Sequence, residues 1–197
     1  MEPINTEEYK GYQIEILPDE INETPRDWSN LGVMVCFHRR YNLGDKHSFR
    51  DPEEFDLFIR KEKAIQLPLY IFDHSGITMR THPFGDRWDS GQVGWIYVLY
   101  ETIQKEYGLV NETTKEKAKK VLEAEVKVYD DYLTGNVYGY RVLNAQGKEL
   151  DACWGFYGNP EGEGGALVSA KEFVDQAIEK KRKKNKPAVV LVPVPAF

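Results

Sequence analysis

Val93-Gly94-Trp95-Ile96-Tyr97-Val98-Leu99-Tyr100 is the most apolar run of the chain and decides how the rest is read. Its length and its β-branched and aromatic content read as a strand apolar on both sides, at the centre of a sheet. A short helix over 101–107 follows directly, and Gly108 stops it. Upstream, 67–72 and 77–81 read as short strands folded into a hairpin around Asp73-His74-Ser75-Gly76. The segment 83–91, with Gly85, Asp86, Asp89 and Gly91, has loop composition.

Further out, Gly32 to His38 is a second strand that is apolar on both sides, and 39–47 is a loop. Asp51-Pro52-Glu53-Glu54 is a helix start: Asp51 can accept from an orphan N–H, Pro52 suits the first helical position, and Glu54 can complete a capping box. That helix, with Phe55, Phe58 and Ile59 on one face, is expected to end near Lys63. Residues 11–17 alternate as a strand, and 18–30 form a polar connector with a turn at Thr24-Pro25-Arg26-Asp27. Downstream, a long helix is expected from Thr113 or Thr114, with Glu116 for its capping box, to a C-cap at Gly135. Residues 136–144 and 148–157 form a hairpin turning at Asn144-Ala145-Gln146-Gly147, and 159–165 is a glycine-rich acidic loop. Ser169-x-x-Glu172 opens a last helix with Phe173, Val174, Ala177 and Ile178 on its apolar face. Within the tail 187–197, residues 188–192 read as an edge strand, with a docking peptide as the alternative. Strands and helices without regular alternation give an α+β fold, a largely antiparallel sheet with helices mainly on one face. The expectation is a single domain over 1–197 with an acidic N-terminal segment and an apolar, proline-rich tail.

A chain of 197 residues that is 41% hydrophobic and 29% charged is globular in composition, and a globule of this size buries roughly 70% of its unfolded surface without metal or disulfide staples. Cys36 and Cys153 alone do not make a secreted disulfide framework. No apolar run reaches the roughly 20 residues of a membrane span, and the polar start shows no signal peptide. A cytoplasmic location in the host cell and no membrane partner are the expectations. The net charge of −6 is concentrated in residues 1–30, where eight acids face Lys10 and Arg26, and a basic block runs from Lys180 to Lys186. With a pI near 5.4, extended nucleic-acid binding is disfavoured.

Four stretches carry a resemblance: Asn30-Leu31-Gly32 running to Cys36-Phe37-His38-Arg39-Arg40-Tyr41-Asn42-Leu43-Gly44-Asp45; Asp73-His74-Ser75-Gly76-Ile77; Trp88-Asp89-Ser90-Gly91-Gln92-Val93-Gly94; and Asp131-Tyr132-Leu133-Thr134-Gly135 through Cys153-Trp154-Gly155-Phe156-Tyr157-Gly158. Together they resemble an uncharacterised group of proteins of bacteriophages and other mobile elements, over residues 25–158. The resemblance implies a phage or mobile-element origin. Accessory proteins of that kind often modulate a host process or block a defence system. It assigns no residue a role.

The residues themselves offer several chemistries. Cys36 and His38 fall on one face of their strand, and with His74 and Cys153 they are the residue types that zinc takes, although two closely spaced cysteines are absent. Cys36 or Cys153 beside His38 or His74 would be the thiol-nucleophile arrangement, against which stands a packed, unreactive thiol. Asp73, Asp86 and Asp89 lie in loops and could hold Mg²⁺ or Ca²⁺ with His74 as base, the outline of a metal-dependent hydrolase of phosphate esters, a nuclease or phosphodiesterase. Against it stands the ordinary use of loop Asp in local turn bonds. Arg39, Arg40, Tyr41, Arg80, His82 and Arg87 could form a basic, aromatic patch for a nucleotide phosphate. The leading expectation is a non-enzymatic protein that binds a host protein or a small nucleotide ligand, with no cofactor. Its working face would be the loops 39–47, 73–76 and 83–92, through Arg39, Arg40, Tyr41, Asp45, His74, Arg87 and Trp88. Oligomeric state is left open.

Overall fold

In a computed structural model, residues 1–20, 23–86 and 88–184 are described. The order of elements is β1 (Asn5–Tyr9), β2 (Tyr12–Pro18), a 3₁₀ turn (Pro25–Asp27), β3 (Val33–Cys36), α1 (Pro52–Lys61), β4 (Ala64–Asp73), β5 (Ile77–Arg80), β6 (Ser90–Leu99), α2 (Tyr100–Tyr107), α3 (Glu112–Thr134), β7 (Val137–Leu143), β8 (Glu149–Tyr157) and α4 (Ala166–Lys184). The fold is α+β, and the pairings β1–β2, β2–β7, β3–β6, β4–β5 and β4–β6 are antiparallel. The strands divide between two four-stranded sheets, β1-β2-β7-β8 and β3-β6-β4-β5. Tertiary contacts group the chain into two compact units, residues 1–19 with 138–197, and residues 20–137.

In the unit of residues 20–137, the run read first as central is β6, paired with β3 on one side and β4 on the other. Strand alternation sends Ile96 and Val98 to one face, where Met34, Leu69, Ile71 and Met79 meet Ala118, Leu122, Val126 and Tyr129 of α3. Trp95 and Tyr97 go to the other face and pack with Val35 against Phe55 and Ile59 of α1. Helices therefore cover both faces of this sheet, because β6 is apolar on both. Burying so many Val, Ile, Leu and Phe side chains, each worth about 1.5–3 kcal/mol, supplies the main drive for this unit. The β5 edge is closed by α3: Asp130 accepts from the Met79 amide (2.8 Å) and from the Thr78 hydroxyl (2.6 Å).

The helix ends follow local rules with some shifts. Asp51 caps α1 by accepting from Glu54 N at 2.8 Å, as its sequence predicts. The cap of α3 is Asn111, which forms a reciprocal box with Thr114, so the helix begins at Glu112 and not at Thr113 or Thr114 with Glu116 as partner. Asn is as good a cap as Ser or Thr, and it stands two residues nearer to the end of α2 than Thr113. Gly108 and Gly135 close α2 and α3 in the left-handed conformation.

In the unit of residues 1–19 and 138–197, α4 lays Ala166, Leu167, Ala170 and Val174 on Ile14, Ile16, Tyr140 and Val142. It begins at Ala166, before the Ser169 start that the sequence suggests, because Ala166 and Leu167 are themselves core residues. The strand β1, Asn-Thr-Glu-Glu-Tyr, has no apolar alternation and is not anticipated from sequence. It forms because Lys10 and Gly11, at φ 50° and 81°, make a two-residue turn that folds it onto β2. The tail 187–197, read as edge strand or docking peptide, lies outside the described residues.

Candidate loop face and its two hollows

The sheet β3-β6-β4-β5 brings three loops to one end. In an antiparallel sheet the exit of β3, the exit of β4 and the start of β6 lie at the same end. Residues 37–47, 73–76 and 81–89 therefore converge. A bulge sharpens this end: Leu69 pairs with Gly94 but Tyr70 pairs with Gln92, leaving Val93 as the extra residue. Val93 O then accepts from Phe37 N at 2.7 Å, which carries the chain of β3 into the first loop.

Two hollows line this face. A groove of about 520 Å³ is lined by residues 37–40, Ile71, Asp73 and residues 88–93. A second hollow of about 680 Å³ is lined by Thr24, Arg26, Asp27, Cys36, His38 and residues 41–47. His38 lines both, and its ring stacks on Tyr41 at 5.0 Å. The His38 Nδ1 accepts from the amides of Arg40 (3.3 Å) and Tyr41 (3.2 Å), so the imidazole braces the turn that presents the arginines.

The groove gathers Arg39, Arg40 and Trp88 with Asp73 and Asp89. Trp88 is 93% exposed, the most exposed large hydrophobic side chain among the described residues. Arg40 donates to Asp73 at 2.5 Å and lies over the Tyr41 ring, whose hydroxyl also reaches Asp73 at 3.4 Å. Arg39 is exposed and has no ion partner among the described residues. His74 Nδ1 sits 2.8 Å from Asp89 Oδ2, while the Asp89 carbonyl accepts from Asp73 N at 2.8 Å. Asp86 accepts from the amides of Asp89 (2.8 Å) and Trp88 (2.7 Å), which hold its carboxyl below the usual carboxylate range. A ladder of His74, Phe72, Phe84 and Arg80 stacks along the outer side and pins the loop that carries Asp86. Arg87 lies outside the described residues.

Tyr41 and Asp45 belong to the second hollow. Asp45 is held by structure: Arg26 donates to it twice, at 2.9 and 2.8 Å, and Met34 N donates at 2.7 Å. Arg26, whose side chain is 4% exposed, also donates to Glu125 (2.9 Å) and to Gly32 O (2.6 Å). Burial opposes its charge, but the two carboxylates outweigh this and move its pKa up. This triad was not legible in sequence, since Glu125 stands far from Arg26 in the chain and carries no motif. Cys36 lies beside it. Burial, with Asp45 adding to it, pushes its thiol up to about 12, which disfavours the thiolate that a nucleophile needs at neutral pH. Cys153 is exposed on β8, in the other unit.

Among the described residues no three His, Cys, Asp or Glu side chains gather to hold a metal ion. Asp73, Asp86 and Asp89, the aspartates of the metal-hydrolase reading, are instead bonded to Arg40, to loop amides and to His74 respectively. No helix among the described residues is long and apolar enough to cross a membrane. No protein-family model, no curated protein and no solved structure matches this chain.

Proposed function

We propose that this chain is an accessory protein of phage or mobile-element origin that works by binding. It engages a host protein or a small nucleotide ligand through the face formed by loops 37–47, 73–76 and 81–89, in the manner of an inhibitor of host defence. The observation that carries the reading is Trp88, almost wholly exposed and lining with Arg39 and Arg40 a groove in which Asp73 and Asp89 are already bonded. An exposed Trp flanked by Arg is the composition of a binding hot spot, and the loop bonds hold it in place before a partner arrives. Catalysis by the aspartates would require them to leave their present partners.

The test is native mass spectrometry of the protein purified from cells of its host, with and without chelator, beside the double variant Arg39→Ala/Trp88→Ala. A stoichiometric host protein or nucleotide on the wild type, indifferent to chelator and lost from the variant, is the expected result. A chelator-sensitive metal with phosphodiesterase activity that Asp89→Ala abolishes would replace this reading with the hydrolase.

A further inference from the structure

We infer that the groove over Trp88 is a site for a single nucleotide, its base stacked on the Trp88 indole and its phosphate held by Arg39 and Arg40. This rests on the reading of the loop face as a binding site and narrows its ligand. Four features of the groove select this chemistry. Trp88 presents a nearly bare ring, and base–aromatic stacking accepts any base. Arg39 has no ion partner among the described residues, and Arg40 is 70% exposed, so both can turn guanidinium N–H groups to a phosphate. Gln92 lines the groove with its amide nitrogen 3.3 Å from Gly94 O, which leaves its carbonyl oxygen to accept from a base amino group. The groove, at about 520 Å³, lies within the range of small-ligand sites, about 300–1,000 Å³.

The same surroundings limit the ligand to one nucleotide. A single-stranded polymer needs a row of stacking rings and a basic track along its phosphates. Among the described residues one bare ring stands near Asp86 and Asp89 in the chain, and Asp73 forms part of the groove wall. Asp86 is exposed and its carboxyl is held below the usual range by the two amides that donate to it, so the phosphate of a second, linked nucleotide on that side meets negative charge.

Isothermal titration with ADP, adenosine and ribose 5-phosphate tests the assignment on the full chain. ADP is expected to bind with one site per chain and more tightly than adenosine or ribose 5-phosphate. Trp88→Ala is expected to weaken ADP by about 5- to 150-fold, the range of one lost base stack. Arg39→Ala is expected to weaken ADP while leaving adenosine unchanged, because only the phosphate contact is reduced. Both side chains are exposed, so the thermal midpoint of each variant should match the parent and a lost signal cannot be a folding defect. Absence of ADP binding up to about 1 mM, or binding that ignores both substitutions, overturns the nucleotide assignment. If ADP fails while the double variant still loses a host protein in the mass-spectrometric test, the binding face stands and only its ligand is wrong. If the double variant changes neither, both fall.

Discussion

Arg26 illustrates how much one side chain can hold. It joins the 3₁₀ turn, the residue before β3, the loop at Asp45 and α3 through four hydrogen bonds, almost entirely out of water. Removing a buried ion's partner leaves a charge that neither water nor protein satisfies, at about 3–5 kcal/mol. Arg26→Met should therefore lower stability by that amount in urea denaturation, and a loss below about 1 kcal/mol would show that the carboxylates are hydrated. Cys36 offers a second test. Its pKa in the fold is raised from 9.0 to about 12, so above pH 9 the unfolded chain has lost a proton that the folded chain keeps. Stability should be at its full value below pH 9 and fall progressively as pH rises toward 12. Cys36→Ser should flatten that limb of the pH–stability curve. At pH 8, iodoacetamide should label Cys153 and spare Cys36, a difference that peptide mass mapping reads directly.

Elements here are placed by close backbone approach as much as by pattern. At Gly94, where β3 and β6 meet, a Cβ would stand 1.9 Å from Val35 O. That neighbour is backbone within a paired strand and cannot yield without opening the ladder. At Gly139 in β7 a Cβ would come within 2.1 Å of the Trp154 ring, but that ring is 45% exposed and can swing away. Gly94→Ala should cost about 3 kcal/mol, at the upper end for overpacking, and Gly139→Ala clearly less. Equal losses in thermal or urea unfolding would refute this ranking. The Asn111 cap belongs to the same scale: Asn111→Ala should cost about 1 kcal/mol and fray the first turn of α3 in hydrogen exchange.

Across the larger unit, the topology turns three separate stretches of chain into one face. β3, β4 and β6 are neighbours in an antiparallel sheet, so their loops must share an end. The bulge at Val93 and the His38 brace set how those loops lean toward each other. The proposed function belongs to this scale, because no single loop makes the groove. Trp88→Ala should leave stability within about 0.5 kcal/mol of the parent, as for other exposed positions, while removing partner or ligand. An unfolding midpoint that moves strongly would mean that Trp88 is a structural residue.

Much of this was legible in the chain. An apolar run marked β6, a turn at Asn144-Ala145-Gln146-Gly147 marked the β7–β8 hairpin, helical periodicity marked α3, and capping residues marked α1, because those signals come from neighbours in sequence. The Asp73-His74-Ser75-Gly76 hairpin was equally local, whereas the loop read over 83–91 gives way to β6 at Ser90. β1 escaped because a polar edge strand carries no alternation, and its pairing depends on a turn at Lys10-Gly11. Tertiary structure alone decided that Asp45 would be spent on Arg26 and that Asp73 would be held by Arg40. It also decided that Arg39, Arg40 and Trp88 would line one groove. The reason is physical: a sequence pattern reports which face of an element is apolar, while the partner of a charge is chosen by whatever distant element packing brings within about 3 Å of it.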